Sequence, residues 1–493
     1  MTDRRQRLLV ALIACVGLLR GLWWVAVTPV WSPIDEQAHY DYVEAIARGD
    51  GIPIVGQTHV HADVLALAKS SPSSRFHDET IPSVLHESYE AAQPPLYYAV
   101  MAPVWRVFDG ARTSTTMYAL RVATLLVSLL LIPLVYLIGR ELWPDEPSIG
   151  VVAAALAAVW SGTNSNFAIV ANDGLMTVLA AATFLVLARA LRRGLTTRRA
   201  AVTGVLVGAT VLTKTTGLSI VAVVAVAAVL AARWNGQRLA DVVRFGAIAG
   251  AIAAVLVAPW LAFNHAHYGG LTAAKQLDAI TGSLQSNPPF NLHGLATRLR
   301  QGGHGFFDAQ IVSPNATHAG KLWFAATALF GVVAAARLWR RRAGRDLALL
   351  AWLLAAWPLA FFTMAVVILH LSGGRSDIAG RHLYVALPAV ALALALAAYR
   401  GFGRAGLGCL ALVAAVALTL EAGDVPWLVH LVEGSGSRYT LAMLAPRAWA
   451  VIGWGVAVAA FSIARWGKRK TGSDASRSSS AAAPSAPLAT PSP

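Results

Sequence analysis

The sequence is divided into apolar runs, most of them long enough to cross a lipid bilayer, and this feature limits the fold more than any other. A helix needs about 20 apolar residues to span the hydrocarbon core. Twelve runs meet or approach that length, near 8–28, 118–138, 149–168, 173–191, 200–214, 216–232, 242–262, 320–338, 346–371, 382–399, 405–421 and 447–465. Inside a bilayer no water satisfies backbone polar groups, so runs of this kind form helices. The expected fold class is all-α, a polytopic transmembrane helical bundle of about 12 spans. The pair 200–232 reads either as one tilted helix or as two short ones. Lys214 in its middle favours a break, because a lysine near mid-bilayer costs roughly 3 kcal/mol. Only 13% of residues are charged, against roughly 25% in soluble domains. That excludes the string of soluble domains that length alone suggests.

The formal net charge is +15, which in a soluble chain would point to nucleic acid. Here the arginines fall in short segments between apolar runs, as in RALRRGLTTRR from Arg189 to Arg199 and RLWRRRAGR from Arg337 to Arg345. This is the pattern of membrane orientation, so no nucleic-acid partner is expected. With the N-terminus inside, 24 of the 40 Lys and Arg lie on the cytoplasmic side, in mostly short segments. Twelve spans return the C-terminus to that side, next to the basic RWGKRK from Arg465 to Lys470. The chain thus reads as a multi-pass cell-membrane module over 1–465 with both termini cytoplasmic, followed by a disordered Ser-, Ala- and Pro-rich tail over 466–493. The opening MTDRRQR and apolar run resemble a signal peptide, but Trp23 and Trp24 read as an interface anchor of an uncleaved first span. Cys15 and Cys409 both sit in apolar stretches and indicate no disulfide framework.

This orientation collects the ionisable chemistry outside. All 13 histidines and 18 of the 25 carboxylates fall in outer loops or at outer helix ends. Two outer loops are long, about 29–117 and 263–319, and their Trp, Tyr and Pro content predicts order. Within the first, 34–48 has helical spacing, and 94–108 reads as an amphipathic helix lying on the membrane surface.

Several residues stand out for chemistry. Asp35 and Glu36 follow the first span by a few residues, after Trp31-Ser32-Pro33. They read either as acids that help start a helix or as catalytic carboxylates able to deprotonate an acceptor hydroxyl. Asp35 and His39 share a helix face, and Glu36, Tyr40 and Glu44 the neighbouring one. Asn172-Asp173 opens the fourth span, as a helix cap or as a second acid of the same outer site. Lys214, Arg375 and Arg381, the last followed by His382, lie at or near outer helix ends. They read as snorkelling bases or as a clamp on a phosphate. Gln93-Pro94-Pro95-Leu96-Tyr97-Tyr98 reads as a Pro-initiated interfacial helix with an aromatic belt. His59-Val60-His61-Ala62-Asp63 has the ligand types of a metal site, but alternate spacing on a loop is a weak signal. No cofactor and no metal ligands are therefore assigned, a divalent metal being the less favoured alternative. Asn315-Ala316-Thr317 matches a glycosylation acceptor.

Taken in order, P-x-DE-x-x-H after the first span, QPPLYY, ND at the fourth span, TK after the fifth and GRH-LYVALP near the tenth resemble the polytopic GT-C glycosyltransferases. The nearest kin are bacterial relatives of protein O-mannosyltransferases, the lipid A aminoarabinose transferases, and a group of bacterial membrane proteins with the same DE-x-x-H opening. The resemblance covers roughly residues 8–400. It implies a GT-C-like bundle whose long first extracytoplasmic loop carries amphipathic helices. It further implies transfer of a sugar from a polyprenyl-phosphate donor to an extracytoplasmic acceptor, a cell-envelope glycan, lipid or protein, with inversion. Asp35 is then the acceptor-side acid, with Glu36 or Asp173 orienting the acceptor or tuning it. Lys214 and Arg381 hold the lipid phosphate, and His39, Tyr40, Gln93, Tyr97, Tyr98, Asn172, Arg375 and His382 line the substrate site. The competing class is a polytopic transporter or lipid flippase. Such proteins bind near the bilayer midplane on broken helices with internal repeats, and no convincing repeat relates the two halves here.

Overall fold

The computed structural model describes residues 3–31, 35–71, 74, 80, 81, 83–160, 166–281, 291–307, 318–372, 378–432 and 447–456. Among them every regular element is helical. In chain order these are α1 (Asp3–Val27), α2 (Glu36–Arg48), α3 (Ala62–Ser70), α4 (Leu96–Val107), α5 (Thr113–Ser128), α6 (Leu131–Leu142), α7 (Ser148–Val159), α8 (Asp173–Arg193) and α9 (Thr197–Thr213). They continue with α10 (Ile220–Trp234), α11 (Leu239–Tyr268), α12 (Ala274–Thr281), α13 (Leu292–Phe307), α14 (His318–Arg340), α15 (Gly344–Ser372), α16 (Leu387–Phe402) and α17 (Arg404–Val432). Short 3-10 turns cover Ser83–His86, Tyr89–Ala92, Thr215–Ser219 and Gly380–Ala386. The polytopic all-α class expected from the sequence is the one observed.

Among the described residues eight helical stretches are long and apolar enough to cross a membrane, and they coincide with eight of the twelve expected runs. The other four are not among these stretches. In the 149–168 run a helix covers Ser148 to Val159, and 161–165 lie outside the described residues. The 200–214 run corresponds to the 17 residues of α9. The 405–421 run includes an apolar stretch from Arg404 to Leu420. The 447–465 run is helical over its described part, 447–456. The pair 200–232 is two helices. α9 stops at Thr213, Lys214 is extended (φ −156°, ψ 132°), and a 3-10 turn leads into α10. The tail over 466–493, Arg375 and the Asn315 triplet lie outside the described residues.

α16 is the central helix of the bundle. Nearly all its side chains, from Leu387 to Ala398, are buried. Small residues allow close helix approaches. Gly204 and Gly208, four apart on α9, face α11, and a Cβ at Gly204 would lie 2.6 Å from the carbonyl oxygen of Ala249. This spacing of small residues lets two helix backbones meet in a medium where apolar burial gives no preference for helix pairing.

The described part of the long segment between the first two spans forms a cap with its own core. Trp31, Tyr40, Tyr42, Tyr97, Tyr98 and Trp105 pack together, with Tyr42 and Tyr98 stacked at 3.7 Å between centroids. α2 carries much of this core and is closed by Gly49 in the left-handed region (φ 93°), which caps its last turn. α4 is amphipathic as expected, but its buried face (Tyr97, Tyr98, Met101, Ala102, Trp105) is spent largely on the cap rather than on the membrane. Tyr40 belongs to this core. Its ring meets Trp31, and its hydroxyl accepts a hydrogen bond from Trp105 Nε1 at 3.3 Å.

One buried ion pair joins cap to bundle. Arg121 of α5 donates through Nε and Nη2 to the two oxygens of Glu36 at 2.6 and 2.5 Å. Its remaining donors reach the carbonyls of Thr28 (2.7 Å) and Pro29 (3.0 Å) at the end of α1. Glu36 Oε1 also accepts from the backbone N–H of Val170 at 3.0 Å. Both side chains are fully buried. A bidentate, charge-assisted pair with its spare donors satisfied tolerates such burial. On the far side of the cap, α13 lies against the Gly380–Ala386 turn so closely that a Cβ at Gly380 would fall 2.1 Å from the backbone nitrogen of Phe306.

Two outcomes follow. Gly204→Val forces α9 from α11 and is expected to lower stability by roughly 1–3 kcal/mol through overpacking, read as a fall in the thermal midpoint of the detergent-purified protein. Arg121→Leu leaves the Glu36 charge buried and unpaired, for an expected loss of about 3–5 kcal/mol. A midpoint equal to that of the unmodified protein would contradict the clamp.

Candidate functional site

The end of α1, the start of α8, the end of α9 and the start of the Gly380–Phe402 helical stretch meet at one end of the bundle, under the cap. Two ion pairs form there between segments far apart in sequence. Arg381 pairs with Asp35 across 346 residues. Lys214 Nζ donates to Asp173 Oδ1 at 2.6 Å. Asp173 is fully buried, and Lys214 nearly so. At these positions the structure shows ion pairing instead of side-chain capping. Asp35 occupies the N-cap position of α2 and Asn172 that of α8, yet neither side chain makes a capping hydrogen bond. Asp35 is turned to Arg381 instead, and Asp173 to Lys214. Lys214 ends α9 in extended backbone, which directs its chain into the protein.

His39, one turn along α2 from Asp35, points into the same place. Its Nδ1 lies 2.8 Å from the Tyr98 hydroxyl and 3.7 Å from Glu90 Oε2. His39 feels the charges of Asp35, Lys214, Arg381 and Asp173, and so does Glu90, so six ionisable groups share one region. Their protonation differs. Burial disfavours the charge on Asp35, but the Arg381 guanidinium outweighs burial and holds the carboxyl below its ordinary range. Burial drives the His39 imidazole down to about 3, so it is neutral. Burial and the nearby Asp35 carboxylate push Glu90 up to about 8, which leaves it protonated at neutral pH. Tyr89 donates to Asp35 Oδ1 at 3.4 Å, and its phenol is held far above the usual range.

The rest of the expected set divides. Tyr98 reaches the cluster through His39. The Tyr97 hydroxyl pairs with Thr124 Oγ1 at 2.7 Å, and its ring is fully buried. His382 accepts the Ala379 N–H at Nδ1, 3.2 Å away. Tyr40 stands apart, in the aromatic core. Glu36 does not present a free carboxylate beside Asp35, since Arg121 and the Val170 N–H take up both its oxygens. It is a brace that fixes the residue next to Asp35. Arg375 lies outside the described residues.

A set of buried polar atoms without protein partners accompanies the ion pairs: Gln37 Oε1, Glu90 Oε2, Gln93 Oε1, both amide atoms of Asn172, and Asp173 Oδ2. Buried polar groups are rarely left so. Their concentration here suits a ligand rich in hydroxyl groups. A cavity of about 830 Å³ runs along α1, α7 and α17 and shares no residue with the cluster. Sequence reading missed Glu90, Tyr89 and Arg121. Glu90 stands three residues before Gln93 in the motif region, but nothing in SYEAAQPP signals that its carboxyl is buried against Asp35.

Comparison with known proteins gives the context. Residues 92–263, about a third of the chain, match the family described as dolichyl-phosphate-mannose-protein mannosyltransferase. That range holds Gln93, Tyr97, Tyr98, Arg121, Asn172, Asp173 and Lys214. No curated protein matches the chain. Among solved structures, ArnT from Cupriavidus metallidurans bound to undecaprenyl phosphate is 16% identical, with 94% of this chain and 79% of that chain covered and a TM-score of 0.47. The apo oligosaccharyltransferase of Archaeoglobus fulgidus is 16% identical, with 89% of this chain and 56% of that chain covered and a TM-score of 0.42. The resemblance to GT-C membrane glycosyltransferases read from the motifs is thus met over residues 92–263 by a match to the mannosyltransferase family.

Proposed function

We propose that the chain moves a sugar from a polyprenyl-phosphate donor to an extracytoplasmic hydroxyl acceptor, with inversion, at the cluster around Asp35. The observation that carries this reading is the pairing of two carboxylates with two cations at one end of the bundle. The family matched over 92–263 is described by a lipid-phosphate sugar donor. The bias of Arg into short segments between the apolar runs supports an outer position for the cluster and cytoplasmic termini. Soluble sugar nucleotides are cytoplasmic, so an outer enzyme needs a donor that travels in the membrane.

The charges suggest how the steps are coupled. Before the donor binds, Arg381 neutralises Asp35 and suppresses its basicity. An incoming phosphate competes for Arg381 and Lys214, which present bidentate and point-charge contacts respectively. As Arg381 turns to phosphate, Asp35 loses the partner that lowers its pKa and becomes a better base. Asp35 then takes the acceptor hydroxyl proton, and the oxygen attacks the anomeric carbon from the face opposite the phosphate. The bond from that carbon to the phosphate oxygen breaks, and the polyprenyl phosphate leaves with the electron pair, stabilised by the two cations. Asn172, Gln93 and protonated Glu90 offer hydrogen bonds to sugar hydroxyls. Glu36 and Arg121 hold Asp35 in place.

Liposomes containing a panel of labelled polyprenyl-phosphate sugars test the reading. Asp35→Asn, of nearly equal shape, is expected to reduce transfer by about 100-fold or more, the range of a lost general base. The variant remains folded and inserted. Full activity in Asp35→Asn would remove the assignment. The pH profile is a second check. Raising the pH through about 8 ionises Glu90 and sets a second negative charge beside Asp35, so transfer falls on the alkaline side. In Glu90→Gln that alkaline fall is expected to disappear; an unchanged profile would remove Glu90 from the site.

A further inference from the structure

The motif His59-Val60-His61-Ala62-Asp63 takes no part in the cluster around Asp35, and the fold separates its members. His59 is mostly exposed and lies 3.2 Å from Glu87. Asp63 accepts from Thr113 Oγ1 at 2.9 Å. His61, at the N-cap of α3, turns inward to α2 and meets Asp41 and Glu44. One ligand atom from each of His61, Asp41 and Glu44 lies within 4.8 Å of the other two. Asp41 and Glu44 are three apart on one helix face, and their side chains are fully buried.

The surroundings of these three groups are those of a cation site. Asp41 is oriented by the His61 N–H (2.8 Å) and by Ser88 Oγ (2.9 Å). Glu44 Oε1 accepts from Arg48 Nε at 2.8 Å, whereas Oε2, equally buried, has no partner. Asp50 adds a carboxylate 3.5 Å from His61 Nε2. Arg48 pairs with Glu44, and His61 with Asp41 and Asp50. His61 is a quarter exposed and leaves a route from the solvent. The geometry points to a zinc-type divalent cation bound by His61 Nδ1, Asp41 Oδ1 and Glu44 Oε2, tying α2 to α3. One imidazole and two carboxylates form a three-ligand set that leaves a fourth position to water. Calcium and magnesium favour oxygen ligands alone. The 2.6 Å contact between His61 Nδ1 and Asp41 Oδ1 is bridged by a proton, which the cation replaces and releases to solvent. The metal lies outside the Asp35 cluster and acts on the cap, whose helix α2 carries Glu36 and His39.

The test uses the full-length protein in detergent, stripped with EDTA and titrated with zinc chloride, with metal content and thermal midpoint as readouts. One zinc per chain and a midpoint higher by several degrees are expected. Glu44→Gln and His61→Gln are expected to weaken binding by about 100-fold or more, comparable with or beyond the loss of a supporting contact. His59→Ala should bind as the unmodified protein does. Where His61→Gln folds poorly, the near-isosteric Glu44→Gln carries the comparison. Absence of stoichiometric zinc, unchanged affinity in Glu44→Gln, or loss in His59→Ala would each overturn the proposal. None of these outcomes bears on sugar transfer.

Discussion

The Glu36–Arg121 pair is the contact on which the cap and its junction with the bundle depend. A guanidinium and a carboxylate, both sealed from water, are stable only when every donor and acceptor is met. Here the unmet donors of Arg121 reach the carbonyls that end α1, and Glu36 holds the chain just ahead of α8. The end of the first span, the first turn of the cap, α5 and the Val170 segment are thereby fixed to one point. Asp35 precedes Glu36 by one residue, and Asn172 and Asp173 follow Val170 by two and three. The brace therefore sets the spacing of the two acids without contributing chemistry of its own.

The two ion pairs of the Asp35 cluster are of another kind. They join groups that each have something left to give: Asp173 Oδ2 and both atoms of Asn172 lack partners, and Glu90 carries a proton it would not keep in water. A buried network that is incompletely satisfied is costly in stability. Such a cost is reasonable where a ligand completes the network, and this separates the Asp35 cluster from the Glu36 brace. The cluster is nearly neutral as a whole, so it admits an anionic group by exchanging partners instead of attracting it with a surplus of charge.

Much of this was legible in the sequence because membrane spans and charge bias are one-dimensional signals. The long apolar runs located most of the spans, and Lys214 marked the break between α9 and α10. The motif residues near helix ends pointed to Asp35, Asp173, Lys214 and Arg381. What the sequence hid depends on packing between distant segments. Glu36 beside Asp35 invited a shared role, whereas the fold gives it to Arg121, 85 residues on. Tyr40 shares a helix with His39, but the aromatic cap claims it, since Trp31 and Trp105 converge there from other parts of the chain. Glu90 gave no local sign, because its proton is a product of burial and of a neighbour 55 positions away.

The separation of Asp35 from Arg381 has a consequence for how the molecule comes into being. Ribosomes lengthen a chain at roughly 5–20 residues per second, so the 346 residues between them take on the order of 17–70 seconds to make. The Glu36–Arg121 brace needs nothing beyond the Val170 segment and can form early, whereas the cap also takes in Tyr268, Leu277 and Ile280. The Asp173–Lys214 pair is complete soon after. Arg381 is the last of the four charged groups to be synthesised. A partly synthesised chain thus has its carboxylates but not its full complement of cations, and the constellation closes only when nearly all the spans are in the membrane.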